Sequence, residues 1–347
     1  MSTNPTAPRA RASAPTIGVV LNPRSRYLRH RPAAIGAIRD LVGARGLVAE
    51  CHDHASVRRA AEDFRHAAID ILAVVGGDGT AGITIAAFRE VWGLNDPPTN
   101  EISPRPLPPI AFMRGGTMNT VSNALGLPRG RPEKNLARLI AQTASGAMPP
   151  SLTRSTLIAD GRIGFLFGTG VFQTFLSAYY QKGHDDPSIV TAAQTIGHAA
   201  ASALVGGSFI KRIGALVDLG VEVDGEVIKT RPYLTVTAGT VSEVGLGFKA
   251  FHLADTYRGV FQLVTVTGVP SSVVFDLPRV WLGLGIAPKN GTSYVARRAV
   301  LTAPGGVIEY MVDGDLYRCE GPLVVETGPT IEVLQTGAPP VQGFVAT

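Results

Sequence analysis

A glycine-rich turn that carries one carboxylate is the most specific chemical feature of the chain. The residues Gly76–Thr80 (GGDGT) directly follow the apolar run Ile71–Val75, which is typical of a buried strand, and directly precede a helical pattern. Such a turn points backbone N–H groups and the positive end of a helix at one place, which favours phosphate. Asp78 can hold Mg²⁺ or accept a proton from an attacking hydroxyl. The alternative is that Asp78 and Thr80 only cap the helix.

A second turn, Arg114–Asn119 (RGGTMN), has the same organisation and follows the strand-like run Ile110–Met113. In a doubly wound sheet, turns at the carboxyl ends of neighbouring strands face one crevice, where ligands bind. We therefore expect both turns to contact one nucleotide. The alternative for Thr117 and Asn119 is that they only cap the helix that follows.

The elements around these turns alternate between strands and helices from Thr16 to about Met148, which predicts a parallel sheet covered by helices. The first strand is predicted at Thr16–Leu21, before the two that end in the glycine turns. Helices are predicted at Ala33–Val42, Ala55–His66, Ala81–Trp92, Met118–Leu125 and Glu133–Thr143. We therefore predict an α/β domain over residues 16–148, preceded by a flexible tail over residues 1–15.

The pattern changes after Pro149 and Pro150. Three Asp-Gly pairs flanked by alternating or β-branched residues follow, and such pairs are typical of β-hairpins. They are Asp160-Gly161, Asp224-Gly225 and Asp313-Gly314. Helical patterns at Phe172–Ile213 and Ser271–Leu282 interrupt them. The sequence thus predicts a second, largely antiparallel domain over residues 149–330.

Composition excludes several classes of protein. Hydrophobic residues make up 45% of the chain and charged residues only 17%, which excludes a disordered chain. The low charge indicates either a large core or an apolar binding surface. The net charge is +5, but no aromatic residues alternate with the early arginines, so nucleic acid is not favoured as a partner. Cys51 and Cys319 match no metal or redox spacing and predict two free thiols in a reducing cytoplasm.

Two apolar stretches could contact lipid. Ile189–Ile210 approaches the length of a membrane span but contains polar residues and paired glycines, so we predict a buried or interfacial helix. A stripe of large side chains after the first hairpin is the candidate contact of an apolar acceptor, with a hydrophobic core as the alternative. The stripe consists of Phe165, Phe167, Phe172, Phe175 and Leu176.

In their order and spacing, these motifs resemble the diacylglycerol kinase catalytic-domain family, which includes bacterial lipid kinases and sphingosine and ceramide kinases. The first half contributes Asn22-Pro23 at the end of the first strand, GGDGT at Gly76–Thr80 and the GT-x-N turn at Gly116–Asn119. In the second half, Gly245–Asp255 is similar to the glycine-rich segment of the family, and Met311–Asp315 is similar to its late DGE motif.

The resemblance implies a lipid kinase that uses ATP and Mg²⁺ and phosphorylates a hydroxyl of a lipid such as diacylglycerol or a sphingoid base. It implies a doubly wound nucleotide-binding domain like that of NAD kinases, a β-sandwich lipid domain, and a C-terminal segment, residues 331–347, that returns to the first domain. Asp78 would hold the metal and take part in catalysis, and Asp315, where the family has Glu, would be the second catalytic carboxylate. The nucleotide would contact Asn22, Gly76, Gly77, Gly79, Thr80, Gly116, Thr117 and Asn119.

The chain departs from the family pattern at several motif positions. Arg26 replaces a glycine of the first loop, Ile83 replaces a Glu after GGDGT, Gln173 replaces an Asp, and Thr240 replaces an Asn. Two alternatives to a lipid kinase are therefore a kinase for a soluble acceptor and a catalytically weakened nucleotide- or lipid-binding protein. The resemblance further predicts a cytoplasmic protein in peripheral contact with a membrane, and the sequence leaves open whether it forms a homodimer.

Overall fold

The computed structural model describes residues 14–94, 106–182, 194 and 214–337. The chain divides into two compact units. The first unit is Met1–Gly116, Gly126–Arg154 and Ile331–Thr347, and the second is Thr117–Leu125 and Ser155–Thr330. Most of the predicted tail, and all of the candidate span Ile189–Ile210 except Gln194, lie outside the described residues.

The first unit is built on a parallel sheet with strand order β2-β1-β3-β4. The strands are β1 (Ile17–Leu21), β2 (Gly46–Glu50), β3 (Ile71–Gly76) and β4 (Ile110–Arg114). The end of β16 (Leu323–Leu334) lies parallel to β4, where Val333 pairs with Ile110. The sequence predicted β1, β3 and β4 to within one residue at each end. It did not predict β2, a short edge strand whose residues are all only partly buried.

Helices cover both faces of this sheet, as expected for a doubly wound fold. They are α1 (Arg26–His30), α2 (Ala33–Val42), α3 (His54–His66), α4 (Asp78–Val91) and α6 (Pro132–Gln142). On one face, Ile38 of α2 and Leu136 of α6 are fully buried against alternate residues of the strands. On the other face, the ring of Phe64 in α3 packs on that of Phe88 in α4, and it lies so close to Gly18 of β1 that a Cβ there would approach it to 2.5 Å.

The second unit contains two antiparallel sheets. One has six strands in the order β12-β11-β10-β7-β14-β15. Its strands are β7 (Leu166–Thr169), β10 (Thr235–Gly239), β11 (Phe261–Val266), β12 (Gly291–Ala296), β14 (Val307–Val312) and β15 (Asp315–Glu320). The other contains β5 (Ser151–Ala159), β6 (Arg162–Gly164), β8 (Val217–Val223), β9 (Glu226–Tyr233), β13 (Arg298–Thr302) and the first part of β16. Their buried side chains, among them Phe167 and Leu301, form one core, which confirms the predicted antiparallel β domain.

Among the described residues, the second unit has four helices. They are α5 (Thr120–Ala124), α7 (Val171–Lys182), α8 (Pro270–Val274) and α9 (Leu277–Trp281). The pattern at Ser271–Leu282 thus forms two short helices instead of one. In the described residues, no helix is long and apolar enough to cross a membrane.

All three predicted Asp-Gly hairpins are present, joining β5 to β6, β8 to β9, and β14 to β15. The aspartates Asp160, Asp224 and Asp313 have φ angles of 50°, 49° and 49°, and each following glycine is also in the left-handed region, as a type I′ turn requires. The side chains of all three aspartates also accept hydrogen bonds from outside their own turns. Asp224 accepts hydrogen bonds from the backbone of Arg297 and Arg298, so its side chain ties the turn to β13.

The prediction that the apolar stripe contacts the acceptor is wrong for two of its five residues. Phe165 and Phe167 are fully buried, and the Phe167 ring lies 5.9 Å from that of Tyr310 in the core of the second unit. The sequence could not show which side of the strand faces inward, and both side chains face the interior. Phe172, Phe175 and Leu176 are only half-buried, on α7.

Candidate functional site

The first part of the candidate site is the turn between β3 and α4. Gly76 ends the strand, Gly77 is the residue that caps α4, and Asp78, Gly79 and Thr80 form the first helical turn. The N–H groups in the first turn of a helix have no acceptor within the helix and carry its positive partial charge. All four residues from Gly77 to Thr80 are half-buried. The strand, turn and helix predicted from GGDGT are therefore present, and the turn can receive an anion.

The second glycine turn packs directly against the first. The N–H of Gly115 donates a 2.8 Å hydrogen bond to the carbonyl of Gly76. A Cβ on Gly115 would lie 3.0 Å from the Cα of Gly76, and one on Gly77 would lie 3.2 Å from the Cα of Gly116. Such distances to backbone atoms are tighter than ordinary van der Waals contacts, so a Cβ at either position would require the turns to shift by a few tenths of an ångström. The paired glycines thus favour the close approach of the two turns.

The loop after β1 joins both turns. Asn22 donates from its backbone to Val75 at 3.0 Å, and its side-chain amide donates to the hydroxyl of Thr80 at 2.9 Å. In α1, which directly follows this loop, the N–H of Tyr27 donates to the carbonyl of Gly115 at 3.0 Å. Three loops from neighbouring strands therefore form one hydrogen-bonded surface at the carboxyl end of the sheet.

This surface fits a phosphate-bearing ligand. Ser25, in the loop after β1, is 8% exposed, and its buried hydroxyl has no hydrogen-bond partner among the described residues. A buried polar atom without a partner is unfavourable, and a polar ligand would satisfy it. Together with the N-terminus of α4 and the glycine backbone, it provides donors and positive potential for an anion. In the described residues, no group of three or more His, Cys, Asp and Glu side chains could hold a metal by itself, so Asp78 would share any Mg²⁺ with phosphate oxygens.

The structure brings together Asn22, Gly76, Gly77, Thr80 and Gly116 in the first unit, next to Asp78 and Gly79. Thr117 and Asn119 belong to the second unit, just before α5. Asn119 has a left-handed backbone with φ of 48°, and its side chain makes no capping hydrogen bond to α5. Asn119 thus occupies the N-cap position of α5 without capping the helix through its side chain, and its contact with a nucleotide stays a prediction.

The glycine-rich segment of the second half contacts the start of α5. A Cβ on Gly245 would lie 2.9 Å from Cε of Met118 and 3.7 Å from the hydroxyl oxygen of Thr120. The backbone of Gly245 is in the left-handed region, with φ of 115°, where a side chain would be strained. Both motifs were visible in the sequence, but their contact within the second unit was not.

Asp313 and Asp315, the two carboxylates of the late Asp-Gly-Asp motif, have different surroundings. Asp313 accepts hydrogen bonds from the backbone of Phe165 and Leu166 at 2.9 to 3.1 Å, so its role is structural. Asp315 begins β15, and its side chain reaches solvent. Nevertheless, the protein around Asp315 removes enough water from its carboxyl group to raise the pKa above the ordinary 3.8. Asp315 therefore suits proton transfer better than Asp313. Its carboxylate is accessible to solvent and partly dehydrated, whereas two backbone N–H groups hold the carboxylate of Asp313.

The departures from the family pattern also have definite places. Ile83 is 41% exposed on α4. Gln173 on α7 donates to the carboxylate of Glu309 at 3.2 Å. Thr240 is buried and its N–H donates to the carbonyl of Phe165 at 3.0 Å, so it supports the second unit. Arg26 is the first residue of α1, beside the buried Ser25.

Comparisons with known proteins agree with these features. Residues 16–148 match the model of the diacylglycerol kinase catalytic domain. A comparison with curated proteins finds no significant match.

Solved structures share the fold over nearly the whole chain. A crystal structure of a diacylglycerol kinase from Bacillus anthracis str. Sterne aligns with a TM-score of 0.60 at 14% identity, covering 94% of this chain and 98% of the other. A candidate diacylglycerol kinase from the same strain aligns with a TM-score of 0.62 at 14% identity, again covering 94% and 98% of the two chains. The match over residues 16–148 shows that this part of the chain is similar to the diacylglycerol kinase catalytic domain, as its motifs predicted.

Proposed function

We propose that the protein is a kinase that transfers the γ-phosphoryl group of ATP to a hydroxyl of a lipid, such as diacylglycerol or a sphingoid base. The observation that carries this proposal is the hydrogen-bonded surface formed by Asn22, Gly76–Thr80 and Gly115–Gly116. It lies within the residues that match the kinase family. Phosphoryl transfer depends on positioning and charge stabilisation more than on covalent catalysis, and this surface supplies both.

The first unit would bind and orient the nucleotide. The backbone of the two glycine turns would hold phosphate oxygens, while the Asn22 to Thr80 hydrogen bond fixes the distance between two of the loops. Ser25 would donate its hydroxyl to the ligand. Mg²⁺, which Asp78 would hold, neutralises phosphate charge when it is bound.

Asp315 would act as the general base. The oxygen of the acceptor hydroxyl forms a bond to the γ-phosphorus as the bond from that phosphorus to the bridging oxygen breaks, and ADP leaves. The hydroxyl proton passes to the carboxylate of Asp315, whose raised pKa makes it a better proton acceptor than an ordinary aspartate. Asp313, held by the backbone of Phe165 and Leu166, would only position the turn.

Because a lipid acceptor resides in a membrane, the proposal includes peripheral binding to a membrane from the cytoplasm. It includes no nucleic-acid partner. The proposed mechanism is the same with or without a homodimer, because a single chain carries all the residues named in it.

The test is a transfer assay with purified protein, Mg²⁺ and labelled ATP. Diacylglycerol, a sphingoid base, ceramide and NAD are offered in parallel, and we expect label in at least one lipid. Label in NAD alone would identify a kinase for a soluble acceptor. Bound ATP without any transfer would identify a binding protein.

A pair of variants tests the role of Asp78. Asp78→Asn should reduce transfer by at least about a hundredfold, the scale of removing a charge-stabilising or proton-accepting group. Asp63→Asn, on the exposed side of α3, is the matched control and should keep full activity. Both variants should melt like the parent protein. Unchanged transfer in Asp78→Asn would overturn the assignment.

A further inference from the structure

The segment Val269–Leu284, which contains α8 and α9, is built with its polar side inward. Neither helix has a single buried residue. Five large apolar side chains of the segment are more than half exposed. They are Val269 at 60%, Phe275 at 71%, Trp281 at 57%, Leu282 at 63% and Leu284 at 57%. Soluble proteins rarely leave so many large apolar side chains together in water, so this surface indicates a binding site.

The inward side of the segment is a hydrogen-bonded polar cluster. Asp276 is 4% exposed and Asn290 is 3% exposed. The amide of Asn290 donates to the carboxylate of Asp276 at 2.7 Å, and the hydroxyl of Ser272 donates to the amide oxygen of Asn290 at 2.7 Å. The N–H of Ala287 also donates to Asp276, at 3.1 Å. This cluster holds the two helices in place, so the apolar side chains face outward in an ordered structure.

Within the stretch from Val269 to Gly291, the exposed charges are positive. Between Val269 and Gly291 the charged residues are Asp276, Arg279 and Lys289, and the single acid among them is buried. Arg279 and Lys289 are exposed. Lys249 adds a third cation, since its side chain lies against Gly283, where a Cβ would approach it to 3.4 Å. Cations beside exposed aromatic and aliphatic side chains fit a bilayer with anionic headgroups.

The segment is also joined to the glycine-rich motif of the second unit. The N–H of Lys249 donates to the carbonyl of Val280 at 3.0 Å, and a Cβ on Gly247 would lie 3.1 Å from the indole nitrogen of Trp281. Trp281 thus has one edge against the motif and more than half of its surface exposed. Tryptophan with an apolar body and a polar N–H is favoured at the interface between membrane and water.

We infer that Val269–Leu284 is the surface by which this protein binds the face of an anionic lipid bilayer. Phe275, Leu282 and Leu284 enter the boundary between headgroups and acyl chains, Trp281 lies at that boundary, and Arg279 and Lys289 contact anionic headgroups. This inference deepens the proposed function, on which it rests for the biological purpose of membrane contact. The binding itself requires no phosphoryl transfer, so the two can be tested apart.

The test is sedimentation of the full chain with vesicles of phosphatidylcholine, alone or mixed with phosphatidylglycerol. We expect binding to the mixed vesicles. The double variant Phe275→Ser with Leu282→Ser should bind at least about tenfold more weakly, because two large side chains no longer leave water. Val227→Ser is the matched control: Val227 is 76% exposed on β9, outside the segment, and its loss should leave binding unchanged. Melting temperatures of all variants show whether they fold.

Tryptophan fluorescence gives a second readout. The chain has two tryptophans, and Trp92 is only 3% exposed. Vesicles should therefore shift the emission of Trp281 to shorter wavelength, and the shift should disappear in Trp281→Phe. Arg279→Gln combined with Lys289→Gln should weaken binding to mixed vesicles and leave binding to neutral vesicles unchanged.

Several results would overturn the inference. They are failure of the parent protein to bind mixed vesicles, equal binding by the parent and the double serine variant, and self-association that the serine variant abolishes, which would make a second copy the occupant. An assay of phosphoryl transfer to a short-chain diacylglycerol dispersed in detergent tests the proposed function without membrane binding, and so separates it from this inference. Transfer without vesicle binding overturns the surface alone, whereas vesicle binding without transfer to any acceptor overturns the kinase alone.

Discussion

The side-chain amide of Asn22 donates a hydrogen bond to the hydroxyl of Thr80, with 2.9 Å between nitrogen and oxygen, although the two residues are 58 positions apart in the chain. They follow β1 and β3, which are neighbours in the sheet. The bond joins the loop after β1 to the first turn of α4. The geometry of the proposed phosphate site therefore depends on a contact that neither loop can form alone.

Removing the hydroxyl of Thr80 should weaken nucleotide binding. Thr80→Val keeps the shape of the side chain but leaves the amide of Asn22 without this acceptor. A hydrogen bond of this kind contributes about 1 kcal/mol, so we expect ATP to bind roughly fivefold to tenfold more weakly. Calorimetric titration with ATP checks this. Thr80→Ser, which keeps the hydroxyl, should bind nearly as well as the parent, and equal affinity of all three proteins would contradict the prediction.

A methyl group between the two glycine turns should separate them. In Gly115→Ala the new Cβ would lie 3.0 Å from backbone atoms of Gly76, which cannot move as a flexible side chain can. Such overpacking costs roughly 1–3 kcal/mol, and we expect a lower melting temperature together with loss of ATP binding. Gly36→Ala is the control, because a Cβ at this exposed position of α2 meets nothing within 4 Å. It should raise stability by up to about 1 kcal/mol through helix propensity.

Asp313 should matter for folding stability. Asp313→Asn keeps a residue that tolerates the left-handed turn but removes the charged acceptor of the Phe165 and Leu166 N–H groups. We expect a loss of about 1–2 kcal/mol in the free energy of unfolding, measured with urea. Asp218→Asn, at an exposed position of β8, should change that free energy by less than about 0.5 kcal/mol. Equal stability of the two variants would show that these backbone contacts contribute nothing.

Asp315 should matter for transfer and its pH dependence. Because the surrounding protein removes water from this carboxyl and raises its pKa in the folded state, ionisation opposes folding above that pKa. Asp315→Asn should therefore be as stable as the parent at neutral pH, or more so, while transfer falls by at least about a hundredfold. Asp315→Glu, which restores the family residue, should keep more activity than the amide.

In the parent protein, the acidic limb of the rate profile should have its midpoint above 3.8, the ordinary aspartate pKa. A profile that is flat down to this pH would remove Asp315 from the role of base. Measurement of transfer from acidic to neutral pH, with the melting temperature followed in the same buffers, separates loss of the base from unfolding.

The two cysteines should be unreactive until the protein unfolds. Cys51 and Cys319 are buried and free, as their sequence spacing predicted. Burial raises the pKa of the Cys51 thiol to about 11, so almost none of the reactive thiolate is present near pH 7.5. Ellman's reagent should label the native protein slowly and should label two thiols per chain in urea. Rapid labelling of the native protein would show that one of these cysteines is accessible.

The sequence predicted the parts of the fold that depend on local chemistry. Particular residue types allow the backbone angles or the close approach on which the glycine turns at Gly76 and Gly115 and the three Asp-Gly hairpins depend. These residue types can be recognised directly in the sequence. The edge strand Gly46–Glu50 was missed because it is short and only partly buried, so it has no strong hydrophobic pattern.

The remaining misses depend on contacts between distant segments. The burial of Phe165 and Phe167 was not predicted, because an apolar side chain has the same pattern in a core as in a binding surface. The division of roles between Asp313 and Asp315 depends on which of them meets the backbone of Phe165 and Leu166, 148 and 147 positions away from Asp313. The outward-facing Phe275 and Trp281 were assigned only to a helix. None of these relationships is encoded by local spacing.

The strand β16 has a consequence for how the chain is made. Leu323 and Val325 lie in the core of the second unit, whereas Leu334 lies in the core of the first, next to strands that are complete by Arg114. During synthesis the core of the first unit is therefore completed by Leu334, which follows the last residue of the second unit in the chain. Completion in this order reverses the usual sequence in which N-terminal domains finish first. A nascent or truncated chain that lacks β16 leaves one edge of β4 open, and such an edge invites pairing with other unfinished chains.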